Sequence, residues 1–184
     1  TIKRFAHNDM DQLRDQLRGL RSRSTGRIVV VTESLFSMDG DLSDLTTILG
    51  LRVEFDTILI VDDAHAFGVL GASGSGLACD PDIDLVVGTF GKACGSFGAF
   101  VACSDRLRAY LINCSSGFVT STALPPAMLG AIDAALDLVP EMDAERLRLH
   151  KNSSRLLKTL RSNRWDCRAS ESQVVPVVVG GEEE

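Results

Sequence analysis

No two cysteines in this 184-residue chain are spaced to hold a metal or to form a redox dithiol. Cys79, Cys94, Cys103, Cys114 and Cys167 include no C-x-x-C pair. They read as reduced, mostly buried thiols, the usage of a cytoplasmic protein. Long apolar runs are missing too, so nothing here is built to span a bilayer as a helix, and no secretory leader is visible. There is no surplus of positive charge: the formal net charge of −6 argues against a general nucleic-acid surface. No internal repeat or low-complexity linker interrupts the chain. A Gly-x-Gly-x-x-Gly phosphate loop is absent as well, because the glycines at 68, 71, 74 and 76 have the wrong spacing and no helix clearly begins after them. The chain opens on Thr1 rather than methionine and closes on Gly180-Gly181-Glu182-Glu183-Glu184 just after an apolar run, so both ends read as cut.

What is present is ordinary for a soluble globular protein, with 45% hydrophobic and 24% charged residues and enough length for one domain with a sizeable core. Two stretches stand out. The apolar run Asp84 to Gly88 reads as a short buried strand that ends on Thr89-Phe90-Gly91-Lys92-Ala93-Cys94-Gly95. A lysine in so apolar a setting is costly to desolvate. If buried, it is an amine nucleophile with a lowered pKa, able to form a Schiff base. Otherwise its stem crosses the core and its head reaches water. The second stretch, Thr57 to Val61, is a continuous aliphatic run, as expected of a parallel strand covered on both faces. It leads into Asp62-Asp63-Ala64-His65, which places two carboxylates and an imidazole at the carboxyl end of a strand, where open α/β sheets bind ligands. Asp62 and Asp63 should face opposite ways, and Asp63 reads as structural.

Around these stretches the alternation of strand and helix gives α/β with a mostly parallel sheet and flanking helices. Phe5 to Asp9 reads as a strand end entering a helix through an Asp9/Gln12 capping box, with Met10, Leu13, Leu17 and Leu20 at helical spacing. His7 reads as a structural histidine at a turn. Strands are expected over Arg27–Glu33 and Gly98–Cys103, and helices over Leu42–Leu51, from Ser104 to about Ile112, Met128–Val139 and Asp143–Arg164. The last carries Leu147, Leu156, Leu157 and Leu160 on its apolar face. A β-hairpin from Gly88 to Val101, with Lys92 at its bend, is the local alternative around the lysine. Ser121-Thr122 precede a helix start at Pro125-Pro126, where hydroxyls suit either a phosphate or ordinary capping.

Five short motifs occur in order: Phe5 to Asp9, Phe36 to Asp41, Asp62 to His65, Thr89 to Lys92 and Ser121 to Pro126. In that order and spacing the chain resembles the α-oxoamine synthases, which are fold-type-I pyridoxal-phosphate enzymes. The resemblance implies an incomplete fold-type-I large domain over residues 1–140, a connecting helix over 141–164, and the opening of a small C-terminal domain over 165–184, with a first strand at Gln173–Val179. It implies pyridoxal 5'-phosphate bonded to Lys92, with Asp62 on the pyridinium nitrogen and His65 and Ser37 on the phenolic oxygen. Thr89 would be the phosphate or lysine-positioning hydroxyl, and Ser121 and Thr122 would reach a partner's phosphate across a homodimer. Lys92, once freed, and His65 are the catalytic candidates, and Glu33 is similar to a family residue near the substrate. Where the family often carries arginine before the last glycine of the 67–76 loop, this chain has Ser75. The activity implied is condensation of an amino acid with an acyl-CoA, with loss of carbon dioxide. Alanine with pimeloyl-CoA is the expected pair. Glycine with acetyl-CoA or succinyl-CoA, serine with a long acyl-CoA, and a non-catalytic subunit remain the alternatives. No metal is implied.

Overall fold

The computed structural model describes residues 1–181. Its elements run α1 (Met10–Arg21), β1 (Val29–Glu33), α2 (Leu45–Phe55), β2 (Ile58–Asp62), β3 (Leu85–Thr89), β4 (Ala99–Cys103), α3 (Asp105–Cys114), α4 (Ser116–Val119), α5 (Pro126–Leu138) and α6 (Asp143–Ser162), with 3-10 turns at Ala72–Gly74 and Val139–Glu141. The sheet order is β1-β2-β3-β4. β1, β2 and β3 are parallel, and β3 and β4 form an antiparallel pair running from Leu85↔Cys103 to Thr89↔Ala99. The mostly parallel α/β fold is therefore present, and the hairpin alternative is correct as well: Lys92 sits in the turn between β3 and β4. A chain reversal of about nine residues leaves too little length for a crossover helix, so the pair can only be antiparallel.

The core lies on one face of the sheet. Leu13 and Leu17 of α1 and Ile48, Leu51 and Phe55 of α2 pack on Val30, Leu59 and Val61. Alternation then turns Val29 and Val31 outward, where they are 49% and 62% exposed. The expectation of a strand covered on both faces, made for Thr57 to Val61, is met on one face of β2 only: Leu59 and Val61 are buried and Ile58 and Ile60 half-buried, because α1 and α2 both pack on the same side. β4 is half open.

Local chemistry sets the helix ends. The Asp9 carboxylate accepts from Gln12 N at 2.8 Å and starts α1. The expected capping box is altered: the Gln12 carbonyl reaches back to Ala6 N rather than to Asp9 N. Residues 1–6 form no strand. α2 begins three residues later than the pattern suggested, because Leu42 bridges to Leu35 and Asp44 takes the cap, accepting from Thr47 N and Oγ1. It ends where Asp56 turns left-handed (φ 47°), and Arg21 donates to the last carbonyls, those of Phe55 and Asp56. Arg52 forks onto Asp84 with two bonds of 3.0 Å while Asp84 also accepts from Leu59 N, stapling α2, β2 and β3.

Several expectations need correction at the surface. Of the four leucines expected on the apolar face of α6 only Leu157 is buried, while Leu147 and Leu156 are about half exposed at 53% and 50%. Of the cysteines only Cys167 is buried, the others lying on edges and turns. Gln173–Val179 is not a strand; it makes one antiparallel bridge, Asp166↔Val178, because no strand among the described residues runs beside it.

Candidate active site

β1, β2 and β3 end at the same edge of the sheet, and the loops that follow them carry the candidate residues. After β1 the chain makes a tight turn, in which Phe36 N donates to Asp41 O and Gly40 N to Phe36 O. Ser37 sits in this turn with its amide on Glu33 Oε2 at 3.0 Å. The turn is locked from below by the Phe5 to Asp9 motif. His7 Nε2 bonds Asp41 Oδ2 at 2.9 Å and its ring stands edge-on to Phe36, while Asn8, itself left-handed at φ 55°, donates to Leu42 O at 2.7 Å. His7 is thus a structural histidine, and two of the five motifs prove to be one packed unit.

After β2, Asp62 and Asp63 part as the strand alternation requires. Asp62 is half-buried, and its Oδ1 accepts from Ala64 N at 2.9 Å. Its other oxygen has no hydrogen bond among the described residues. Asp63 is 2% exposed, and its Oδ1 accepts from Ser34 Oγ and from Leu77 N. Burial is the largest influence on Asp63 and pushes its carboxyl up, against the hydrogen bonds from Ser34, Leu77 and Ala78. Asp63 therefore holds the 67–77 loop onto the sheet. A Cβ at Gly76 would fall 1.7 Å from Asp63 Oδ2, and Gly76 has φ +88°, so only glycine fits there.

His65 follows, half-buried. Burial pushes its imidazole down from the ordinary value and the Lys92 ammonium pushes it further, while Glu33 and Asp62 pull the other way. The charges that act on His65 thus come from the ends of β1, β2 and β3, at one edge of the sheet. His65 makes no side-chain hydrogen bond among the described residues.

After β3 comes the lysine turn. Thr89 Oγ1 donates to Gly98 O at 3.0 Å and accepts from Gly91 N at 3.1 Å, so this hydroxyl closes the turn that carries Lys92. Phe67, Phe90 and Phe100 form an aromatic cluster beneath it, with centroid separations of 4.9–6.5 Å. Lys92 itself is exposed. Of the two readings left open for Lys92, the one in which its head reaches water fits this structure, because among the described residues no element packs over the turn.

Ser121 and Thr122 are both exposed, and the Ser121 hydroxyl donates to Gly117 O. Their segment touches the lysine turn through Leu124, whose methyl lies 2.9 Å from where a Cβ on Gly98 would stand. The sequence reading missed Gln173. Its amide donates to His65 O at 2.7 Å from 108 residues away. Nothing local could have signalled it, since a polar residue before an apolar run has no fixed partner in sequence.

The donor set suits pyridoxal phosphate: one primary amine on an open glycine turn, a carboxylate with a free oxygen, an imidazole without a partner, and nearby hydroxyls. The model for aminotransferases of class I and II matches residues 1–184. The 8-amino-7-oxononanoate synthase of Gluconacetobacter diazotrophicus is 46% identical over 178 residues, covering 96% of this chain and 44% of its own length. Among solved structures, a serine palmitoyltransferase from S. paucimobilis holding pyridoxal phosphate joined to myriocin superimposes with a TM-score of 0.87 at 25% identity, over 96% of this chain and 47% of that one. The 8-amino-7-oxononanoate synthase of Francisella tularensis does so at 0.79 and 27%, over 98% and 53%. The chain spans about half the length of the relatives it matches.

Proposed function

This chain belongs to the aminotransferase class I and II family, in its pyridoxal-phosphate-dependent α-oxoamine synthase branch, and we propose that it serves condensation of an amino acid with an acyl-CoA. Coenzyme A and carbon dioxide leave, and an α-amino ketone remains. The observation that supports the reading is that Asp62, His65 and Lys92 lie at or just after the ends of the parallel strands β2 and β3, at one edge of the sheet.

Bound pyridoxal phosphate supplies an aldehyde that condenses with amines and a ring that, when protonated at nitrogen, accepts the electrons of a bond broken at the substrate α-carbon. The chain's own residues do the rest. Lys92 would hold the cofactor through its amine and, as a free amine, would take the α-proton. The free oxygen of Asp62 would hold the proton on the ring nitrogen, and the Ala64 amide keeps that carboxylate in place. His65 and Ser37 would hold the phenolic oxygen, and Thr89 keeps the lysine turn in shape. Ser121 and Thr122 would serve the phosphate of a second chain, in a homodimer.

The substrates proposed are L-alanine and pimeloyl-CoA, giving 8-amino-7-oxononanoate. The 46% identity to a synthase of that name, against 25% to a serine palmitoyltransferase, supports this choice. The test is release of coenzyme A by the protein that carries this chain, with alanine and pimeloyl-CoA set against glycine with acetyl-CoA or succinyl-CoA and serine with palmitoyl-CoA. Turnover with one of the other pairs would replace the substrates but keep the class. No turnover with any pair, and no label on Lys92, would favour a non-catalytic subunit.

A further inference from the structure

The stretch after α6 turns back to the sheet. Ser172 Oγ donates to Gly40 O at 2.8 Å, and Glu171 N shares that carbonyl at 3.3 Å. Gly40 has φ +70°, and a Cβ there would fall 2.2 Å from Val174 O, so residues 170–174 lie tight against the turn that carries Ser37. The next side chain along, Gln173, crosses to the other loop and donates to His65 O. One short segment therefore braces both loops that offer groups to the phenolic oxygen.

The Gln173 carbonyl oxygen is buried and has no hydrogen-bond partner among the described residues. A buried unsatisfied acceptor costs stability, and an apolar side chain of the same length would remove that cost. It would also leave the His65 carbonyl without its donor, so the two effects oppose each other and stability alone gives little reason for an amide here. The His65 imidazole is held by no hydrogen bond of its own, so its aim follows from where the main chain sets its Cα.

We propose that Gln173 is a positioning residue for His65: by fixing the His65 carbonyl it aims the imidazole into the crevice, and it ties the stretch beyond α6 to the chemistry. The inference rests on the function proposed above for His65.

The experiment uses the protein that carries this chain, with Gln173→Met and Gln173→Glu. Methionine keeps the length and removes the donor. Glutamate has no donor when ionised and regains one when protonated. The first readout is the titration of His65 by NMR in the cofactor-free protein. The charged groups facing His65 are Lys92, Glu33 and Asp62; Gln173→Met leaves them unchanged, whereas ionised Gln173→Glu adds a carboxylate, so the titration is compared between wild type and Gln173→Met. Gln173→Met should move the His65 midpoint up toward the ordinary value as the loosened ring gains water, with the melting temperature nearly unchanged. The second readout is turnover, where kcat should fall about tenfold, the worth of one lost hydrogen bond, with KM little altered. Gln173→Glu should regain part of this relative to Gln173→Met as the pH is lowered. An unmoved His65 midpoint in Gln173→Met, or identical behaviour of the two variants at every pH, would overturn the proposal. If the parent protein turns over no pair, the function reading fails, while the His65 titration still decides the role of Gln173.

Discussion

At the scale of single residues, the crevice is a balance of charges around His65. The Lys92 ammonium disfavours the imidazolium, so Lys92→Ala should raise the His65 midpoint in the cofactor-free protein. Asp62→Asn removes an attractive charge and should lower it further. NMR titration of the ring checks both signs; shifts in the opposite sense would mean that the groups do not share a crevice. The linkage to stability has a definite sign. The folded-state value of His65 lies below the unfolded one of about 6.5, so the unfolded chain binds more protons between the two, and stability falls as the pH drops through that window. Lys92 should also be the residue that retains cofactor when the protein is reduced with borohydride in the presence of pyridoxal phosphate. Peptide mapping that finds the label on Lys151 or Lys158 of α6 would refute this.

At the scale of elements, glycine and carboxylate contacts set the geometry. Gly88 lies in β3 opposite Phe100, whose ring edge is 2.2 Å from where a Cβ would stand. Gly88→Ala must displace that ring and with it the cluster under the lysine turn. Overpacking of this kind typically costs about 1–3 kcal/mol, to be read from chemical denaturation. Phe100→Leu in the same chain should recover part of the loss. The Arg52–Asp84–Leu59 staple gives a second case. Burial alone would push Asp84 up, but the Arg52 hydrogen bonds and charge and the Leu59 amide hold it below the usual carboxylate value. Its contribution is therefore present above an unfolded value of about 3.9 and is lost as the pH falls through the folded one. Asp84→Ala should lower stability by about 1.5–3 kcal/mol near neutral pH and by much less in strong acid.

At the scale of the whole molecule, the described residues present two uncovered surfaces. One is the outer face of β1. The other comprises apolar side chains of α3, α4 and α5: Tyr110, Phe118, Leu129 and Leu138 are 62%, 65%, 52% and 57% exposed. Exposure of this kind suits contact with further protein. Together with an exposed Lys92, it predicts that residues 1–184 by themselves are a poor enzyme. Expressed alone, they should take up pyridoxal phosphate weakly and release coenzyme A orders of magnitude more slowly than a full-length relative. Comparable turnover would show that the crevice needs no further wall. No helix among the described residues is long and apolar enough to cross a membrane.

Much of this architecture was written locally. The aliphatic runs before Asp62 and Thr89, the Asp9 and Ser104 caps and the prolines opening α5 each depend on a few adjacent residues, so they are legible without a fold. The motif order carried the family, and strand alternation alone separated Asp62 from Asp63. What the sequence could not decide was which distant groups meet. His7 on Asp41, Gln173 on His65 and the clasp of Asp63 on the 67–77 loop all join residues whose contact costs chain entropy and is recovered only when the whole sheet assembles. Burial was the other unknown. Lys92, Val31 and Leu156 have side chains that would suit a core or its edge, but whether one is covered depends on which elements pack above it, and that is a property of the tertiary structure alone.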